Sequence, residues 1–84
     1  MRRTNFEFTV TDAAIFLGKS PVTLRQWERK GVVSFPRLGA DRRLTIADMR
    51  SLSDRALELG RIEEGRHRMI ETTLNMLLFM EESQ

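Results

Sequence analysis

The side chains of residues 19–30 are the ones in this sequence whose types and spacing best suit a chemical task. Arg25, Gln26 and Arg29 fall on one side of a helix at 100° per residue, and Val22 falls beside them. Guanidinium and amide groups at such spacing are suited to contact phosphates and base edges in the major groove of DNA. The pattern therefore predicts a DNA-contacting helix.

The opposite side of the same helix is apolar. Leu24 and Trp27 are three residues apart, so we expect both to face a core. The indole N–H of Trp27 is also a donor that can reach a phosphate, and Trp27 is therefore retained among the predicted DNA contacts.

Catalysis and metal binding are not expected. Ser20 is placed as a helix cap rather than a nucleophile, because no G-x-S-x-G motif surrounds it. His67 is the one histidine and the chain has no cysteine, so no zinc motif is recognisable and a solvated helix position is expected for it. Helix starts or solvated segments account for the remaining acidic candidates, namely Asp12, Asp48, Glu63 and Glu64. The sequence predicts no enzyme, no cofactor and no metal.

Charge is unevenly distributed along the chain. Residues 1–60 carry eleven Lys and Arg against seven Asp and Glu, whereas residues 61–84 carry three against five. The basic part indicates a nucleic-acid partner, and the acidic part indicates a different role.

Size and composition limit the architecture. A chain of 84 residues encloses one modest core, and without cysteines it has no disulfides to support that core. Oligomerisation remains available as a support, and the composition is compatible with a reducing cytoplasm. The longest apolar run, residues 76–80, is far too short to span a membrane, and the first residues do not resemble a secretory signal.

The N-terminal part predicts a strand and two helices. Phe6, Phe8 and Val10 alternate with polar residues, which predicts a strand over residues 6–10. Thr11 is expected to cap a helix over residues 12–17. Ser20 is expected to cap a second helix over residues 21–30, which Gly31 ends. A turn of three residues, 18–20, separates the two helices, as in a helix-turn-helix.

A β-hairpin, or wing, is predicted over residues 32–44. β-Formers stand at both ends of this segment, and the turn region lies at residues 38–41. Three arginines flank the tip, which suits contact with phosphates or the minor groove: Arg37, Arg42 and Arg43.

Two further helices complete the prediction. Thr45 and Asp48 have the spacing of a helix start, followed by a helix over residues 46–59. After a polar linker at residues 61–65, residues 66–82 form a helix that is apolar nearly all round. We expect this helix either to pair with that of a second chain or to fold back and complete the core. The dimerisation candidates are Met69, Ile70, Thr73, Leu74, Leu77 and Met80.

One combined motif resembles the DNA-binding domain of the MerR family. It reads Ser20-Pro21-x-Thr23-Leu24-Arg25-x-Trp27-Glu28-Arg29-Lys30-Gly31, followed by Arg42-x-Leu44-Thr45-x-x-Asp48. The resemblance covers about residues 8–60. It implies a mainly α fold with a small β-hairpin, a winged helix-turn-helix, and dimerisation through the following helix. It also implies DNA-backbone contacts by Arg25, by Gln26 with Trp27, and by Arg42. Gln26 stands where the family usually has an aromatic residue.

Taken together, these patterns predict a sequence-specific double-stranded DNA-binding protein of a bacterium or phage. We expect residues 1–60 to form the DNA-binding domain and residues 61–84 to form a C-terminal helix. The main hypothesis is a cytoplasmic transcriptional regulator, with RNA polymerase as a further partner. The alternatives are an excisionase-like factor that bends DNA for an integrase, and a protein-interaction module. The complete set of predicted DNA contacts is Lys19, Ser20, Val22, Thr23, Arg25, Gln26, Trp27, Arg29, Lys30, Arg37, Arg42 and Arg43.

Overall fold

The chain folds into four helices in a computed structural model that describes residues 6–33 and 43–82. The helices are α1 (Val10–Leu17), α2 (Pro21–Arg29), α3 (Ile46–Glu58) and α4 (Glu64–Glu82). In the described part of the chain, no residue belongs to a β-strand, and none of these helices is long and apolar enough to cross a membrane.

The start of α1 differs from the prediction. Thr9, rather than Thr11, is the N-cap, and it forms a capping box with Asp12. The Thr9 hydroxyl accepts a hydrogen bond from the Asp12 amide at 3.1 Å, and the Thr9 amide donates to the Asp12 carboxylate at 2.9 Å. The predicted strand over residues 6–10 is wrong, because Val10 is already helical. Here the Thr-x-x-Asp spacing outweighs the apolar alternation, since reciprocal capping satisfies two backbone donors.

The starts of α2 and α3 are confirmed. Ser20 caps α2 with Pro21 at the first helical position, and Thr45 forms a capping box with Asp48 at the start of α3. Gly31 follows the end of α2 with a φ of 79°, a backbone conformation in which a side chain is strained. α2 and α3 each end one residue earlier than predicted.

The predicted β-hairpin, and with it the winged fold, is wrong for the part of the chain that the structure describes. Leu44 pairs with Phe8 in one isolated antiparallel bridge, through backbone hydrogen bonds of 2.8 and 2.7 Å, and not with the segment after α2. Val33 is buried in the core. The apolar β-formers thus pack singly against helices, and burial rather than strand pairing accounts for them. Residues 34–42, with the predicted tip, lie outside the described residues.

One core joins all four helices. α4 packs against α3 and α1, and it contributes Ile70 and Leu74 to the same buried cluster as α1 and α2. Ile62, in the predicted linker, is buried there as well. Residues 61–82 therefore share a core with the preceding part of the chain. The buried cluster comprises Ala13, Ala14, Leu17, Leu24, Trp27, Val33, Leu44, Ile46, Met49, Leu52, Ala56, Ile62, Ile70 and Leu74.

Candidate nucleic-acid interface

A tight turn sets the angle between α1 and α2. Gly18 ends α1 in the left-handed region, with a φ of 70°. The Gly18 amide donates to the Ile15 carbonyl at 3.1 Å, and the Lys19 amide donates to the Ala14 carbonyl at 2.9 Å. These bonds satisfy carbonyls at the end of α1, and the chain enters α2 only two residues after Gly18. The predicted helix-turn-helix connection is present as a pair of packed helices.

Arg66 of α4 contacts this turn from outside. Its Nη1 donates to the Phe16 carbonyl at 3.3 Å. A Cβ added at Gly18 would lie 2.8 Å from Nη2 of Arg66. Glycine is therefore favoured at this position by its φ and by the close approach of the arginine. The contact connects α4 to the helix-turn-helix, which the sequence did not indicate.

The first turn of α2 is a well-formed N-cap. The Ser20 hydroxyl accepts a hydrogen bond from the Thr23 amide at 3.1 Å, and the two side-chain hydroxyls lie 3.0 Å apart. Both predicted contact residues thus have a structural role at the helix start. No acidic residue occupies this first turn. The positive end of the helix dipole is therefore not offset there by a carboxylate, which suits the approach of a phosphate.

The inward side of α2 belongs to the core. Leu24 is fully buried and Trp27 is only 6% exposed. The guanidinium carbon of Arg61 lies 5.5 Å from the centroid of the Trp27 ring, in cation–π range. The structure therefore places Trp27 among the core residues, apart from the exposed predicted contacts.

The outward face of α2 consists of Val22, Arg25, Gln26 and Arg29, all of them exposed. Val22 is 60% exposed although it is apolar. Within residues 6–33 and 43–82, neither Arg25 nor Arg29 forms an ion pair. Their donors remain available to a ligand, and one face of a single helix presents them together with the Gln26 amide.

The surroundings of this face are basic. Lys19 and Lys30, at the two ends of α2, are exposed. Residues 19–30 thus carry four cations, and Glu28 is the one acidic residue among them. A surface of this charge attracts a polyanion.

The three predicted wing arginines are not brought to this face by the described structure. Arg43 lies 4.0 Å from the Glu7 carboxylate, in an ion pair whose side chains are both well exposed. Arg37 and Arg42 lie outside the described residues.

A cleft of about 340 Å³ lies beside the α1–α2 turn, between it and the connection from α3 to α4. Lys19, Arg61 and Arg66 contribute three cations to its lining, with Glu63 as the acidic residue. Sequence reasoning interpreted residues 61–65 as a linker and missed Arg61 and Arg66. Their proximity to the turn depends on α4 folding back, for which no local sequence signal exists.

The predicted dimerisation residues divide between two sides of α4. Ile70 and Leu74 are buried within the chain's own core, and Leu77 is partly buried against it. Met69 and Met80 are exposed, and so is Met76, which the predicted set lacked. Thr73 lies between them, its hydroxyl donating to the Met69 carbonyl at 3.0 Å. We name the exposed row Met69, Thr73, Met76 and Met80 the methionine stripe.

Comparison with known proteins adds no assignment. No family model matches the chain, and neither a curated protein nor a solved structure shows significant similarity to it. The functional argument therefore depends on the residues and geometry described above.

Proposed function

We propose that this chain is a sequence-specific DNA-binding protein that inserts α2 into the major groove of a duplex. The observation that carries the proposal is the outward face of α2, where Arg25, Gln26 and Arg29 are exposed together at the second helix of a helix-turn-helix. An α-helix with side chains is about 10–12 Å wide, which matches a major groove about 12 Å wide.

The side chains of this face suit two kinds of contact. Gln26 carries both a donor and an acceptor, and a glutamine amide pairs with the two groups that adenine presents in the major groove. Arg25 is proposed to contact the backbone, where a guanidinium binds phosphate regardless of sequence. Gln26 is therefore assigned to specificity and Arg25 to affinity.

The proposed role is transcriptional regulation without catalysis, in the cytoplasm of a bacterial or phage-infected cell. Three features support it: the basic surface around α2, the uncompensated N-terminus of α2, and a core that leaves the outward face in solvent. The absence of cysteine from the sequence fits a reducing compartment.

We also propose that two copies pair through the methionine stripe. Its members are spaced by four, three and four residues, the period of a coiled-coil seam. Met76 is 61% exposed, although the opposite side of α4 is buried in the core. A symmetric pair would present two copies of α2 to neighbouring half-sites.

Selection from randomised duplexes tests the DNA-binding proposal. The wild type should enrich one motif, Gln26→Ala should lose preference at one or two positions, and Arg25→Ala should keep the motif with weaker binding. Arg68→Ala is the matched control, because Arg68 is an exposed cation on α4 away from the outward face of α2. A wild type that enriches no motif, or a Gln26→Ala variant that enriches an unchanged one, contradicts the assignment.

A further inference from the structure

A histidine and two carboxylates converge where α4 packs against α3. Asp54 lies on α3, and His67 and Glu71 lie one turn apart on α4. Nε2 of His67 is 2.7 Å from Oδ1 of Asp54. One donor atom from each of the three side chains lies within 4.8 Å of the other two. The cluster is far from the outward face of α2 in sequence and is not used by the proposed DNA binding.

The ordinary structural roles of these side chains do not account for Glu71. Its one ion-pair partner among the described residues is Arg50, with Nε of Arg50 3.6 Å from Oε2 of Glu71. That distance is too long for a hydrogen bond, and the buried Nε of Arg50 has no hydrogen-bond partner. The Arg50 side chain instead donates from Nη2 to the Asn75 amide oxygen at 2.6 Å. The Glu71 carboxylate therefore has lone pairs available beside His67.

We propose that Asp54, His67 and Glu71 bind one divalent transition-metal ion of the Zn²⁺ class. Imidazole nitrogen and carboxylate oxygen are both zinc ligands, at about 2.0–2.2 Å from the metal, which puts neighbouring tetrahedral donors about 3.4 Å apart. The observed separations, from 2.7 Å to at most 4.8 Å, lie on both sides of that value. Small rotations of the exposed Asp54 and the partly buried Glu71 side chains are enough to reach it, with water as the fourth ligand.

Metal binding at this position connects α3 to α4. The His67–Glu71 spacing places both ligands on one side of α4, and Asp54 provides the ligand across the helix interface. An ion that binds this arrangement and not the unfolded chain stabilises the fold by mass action. The bound ion also reinforces the helix that presents the methionine stripe and Arg66.

Titration of the untagged full chain with ZnCl₂, followed by calorimetry and by urea unfolding, tests the proposal. We expect one Zn²⁺ per chain, and at 100 times the dissociation constant a rise of about 100-fold in the ratio of folded to unfolded protein. MgCl₂ should give no such rise, because Mg²⁺ prefers a set of oxygen ligands in octahedral geometry.

Variants show whether the ion occupies this cluster. His67→Ala should abolish the stabilisation by Zn²⁺, and Glu71→Gln should weaken binding at least tenfold. Glu58→Gln is the matched control, since Glu58 is an exposed carboxylate one turn further along α3 and outside the cluster. It should bind Zn²⁺ as the wild type does.

Nuclear magnetic resonance of the His67 ring provides a readout in the wild type, independent of whether any variant folds. Zn²⁺ should shift the Nε2 resonance with one-to-one stoichiometry. No heat and no shift at millimolar Zn²⁺ overturns the proposal, as does stabilisation that persists in a folded His67→Ala variant. The experiment contains no DNA, so its failure leaves the proposed DNA binding untouched.

Discussion

Replacing Leu74 by alanine removes a side chain that is completely buried where α4 meets the rest of the core. The loss of a buried leucine to alanine costs about 2–5 kcal/mol, through lost burial and the cavity left behind. A domain of 84 residues has a total stability of about 4–13 kcal/mol, at roughly 0.05–0.15 kcal/mol per residue. We therefore expect Leu74→Ala to remove a large fraction of the free energy of unfolding.

Met76→Ala is the matched control, because Met76 is on the same helix and is 61% exposed. Its substitution should change the stability by less than about 0.5 kcal/mol, as is usual for surface positions. Since 1 kcal/mol shifts the melting temperature of a domain this size by about 4–8 °C, the Leu74 variant should melt at least about 8 °C below the wild type.

Urea unfolding followed by circular dichroism, at two protein concentrations tenfold apart, gives the assay. Intramolecular packing of Leu74 requires the Leu74→Ala loss to be the same at both concentrations. Equal stabilities for Leu74→Ala and Met76→Ala would refute the described packing of α4. A Leu74→Ala loss that appears only at the higher concentration would instead assign Leu74 to a contact between chains.

Four further predictions concern the helix starts, the turn and the two proposed interfaces. Thr9→Ala should cost about 1 kcal/mol of stability in chemical unfolding and Thr11→Ala much less, because Thr9 is the N-cap; equal losses would contradict the capping box. Gly18→Ala should destabilise by about 1–2 kcal/mol in the same assay, owing to its φ of 70°, and an unchanged midpoint would disprove the strain. Arg25→Ala should reduce the slope of log K against log salt by about 0.9 in a DNA-binding titration, whereas a wild-type slope would remove Arg25 from the phosphate contacts. Met76→Asp should keep the fold yet abolish self-association in sedimentation, and a variant that still dimerises would exclude the methionine stripe.

Local chemistry was enough to predict where α2 and α3 begin. Ser20 before Pro21, and Thr45 three residues before Asp48, each place a cap acceptor next to the backbone amides it must satisfy. The same Thr-x-x-Asp spacing at Thr9 was present, but the alternation of apolar residues ahead of α1 was given more weight. That error shows that reciprocal capping is a stronger local signal than a few alternating residues.

The outward face of α2 was also predictable from the sequence. A helix that places Leu24 and Trp27 toward the core must present Arg25, Gln26 and Arg29 elsewhere, because successive residues are rotated by a constant angle. The structure agrees on which of these side chains are buried and which are exposed. Whether they contact DNA stays a prediction.

The β-hairpin shows where local reasoning fails. β-Branched and aromatic residues near a turn favour a hairpin, yet Leu44 forms its backbone bridge with Phe8, 36 positions away in sequence. β-Formers fit any half-buried surface, so their partner is chosen by packing rather than by propensity.

What the sequence by itself determined is the set of contacts that lie within one helical turn: the caps of α2 and α3, and the division of α2 into a buried and an exposed side. The tertiary structure decided which side of α4 is buried, because that helix is apolar nearly all round and its periodicity selects no single face. It also decided that Asp54 meets His67, since their 13-residue separation becomes a 2.7 Å contact only when α4 folds back on α3. Local sequence carries no information about that return of the chain, which depends on the burial of Ile70 and Leu74 in a core that all four helices build together.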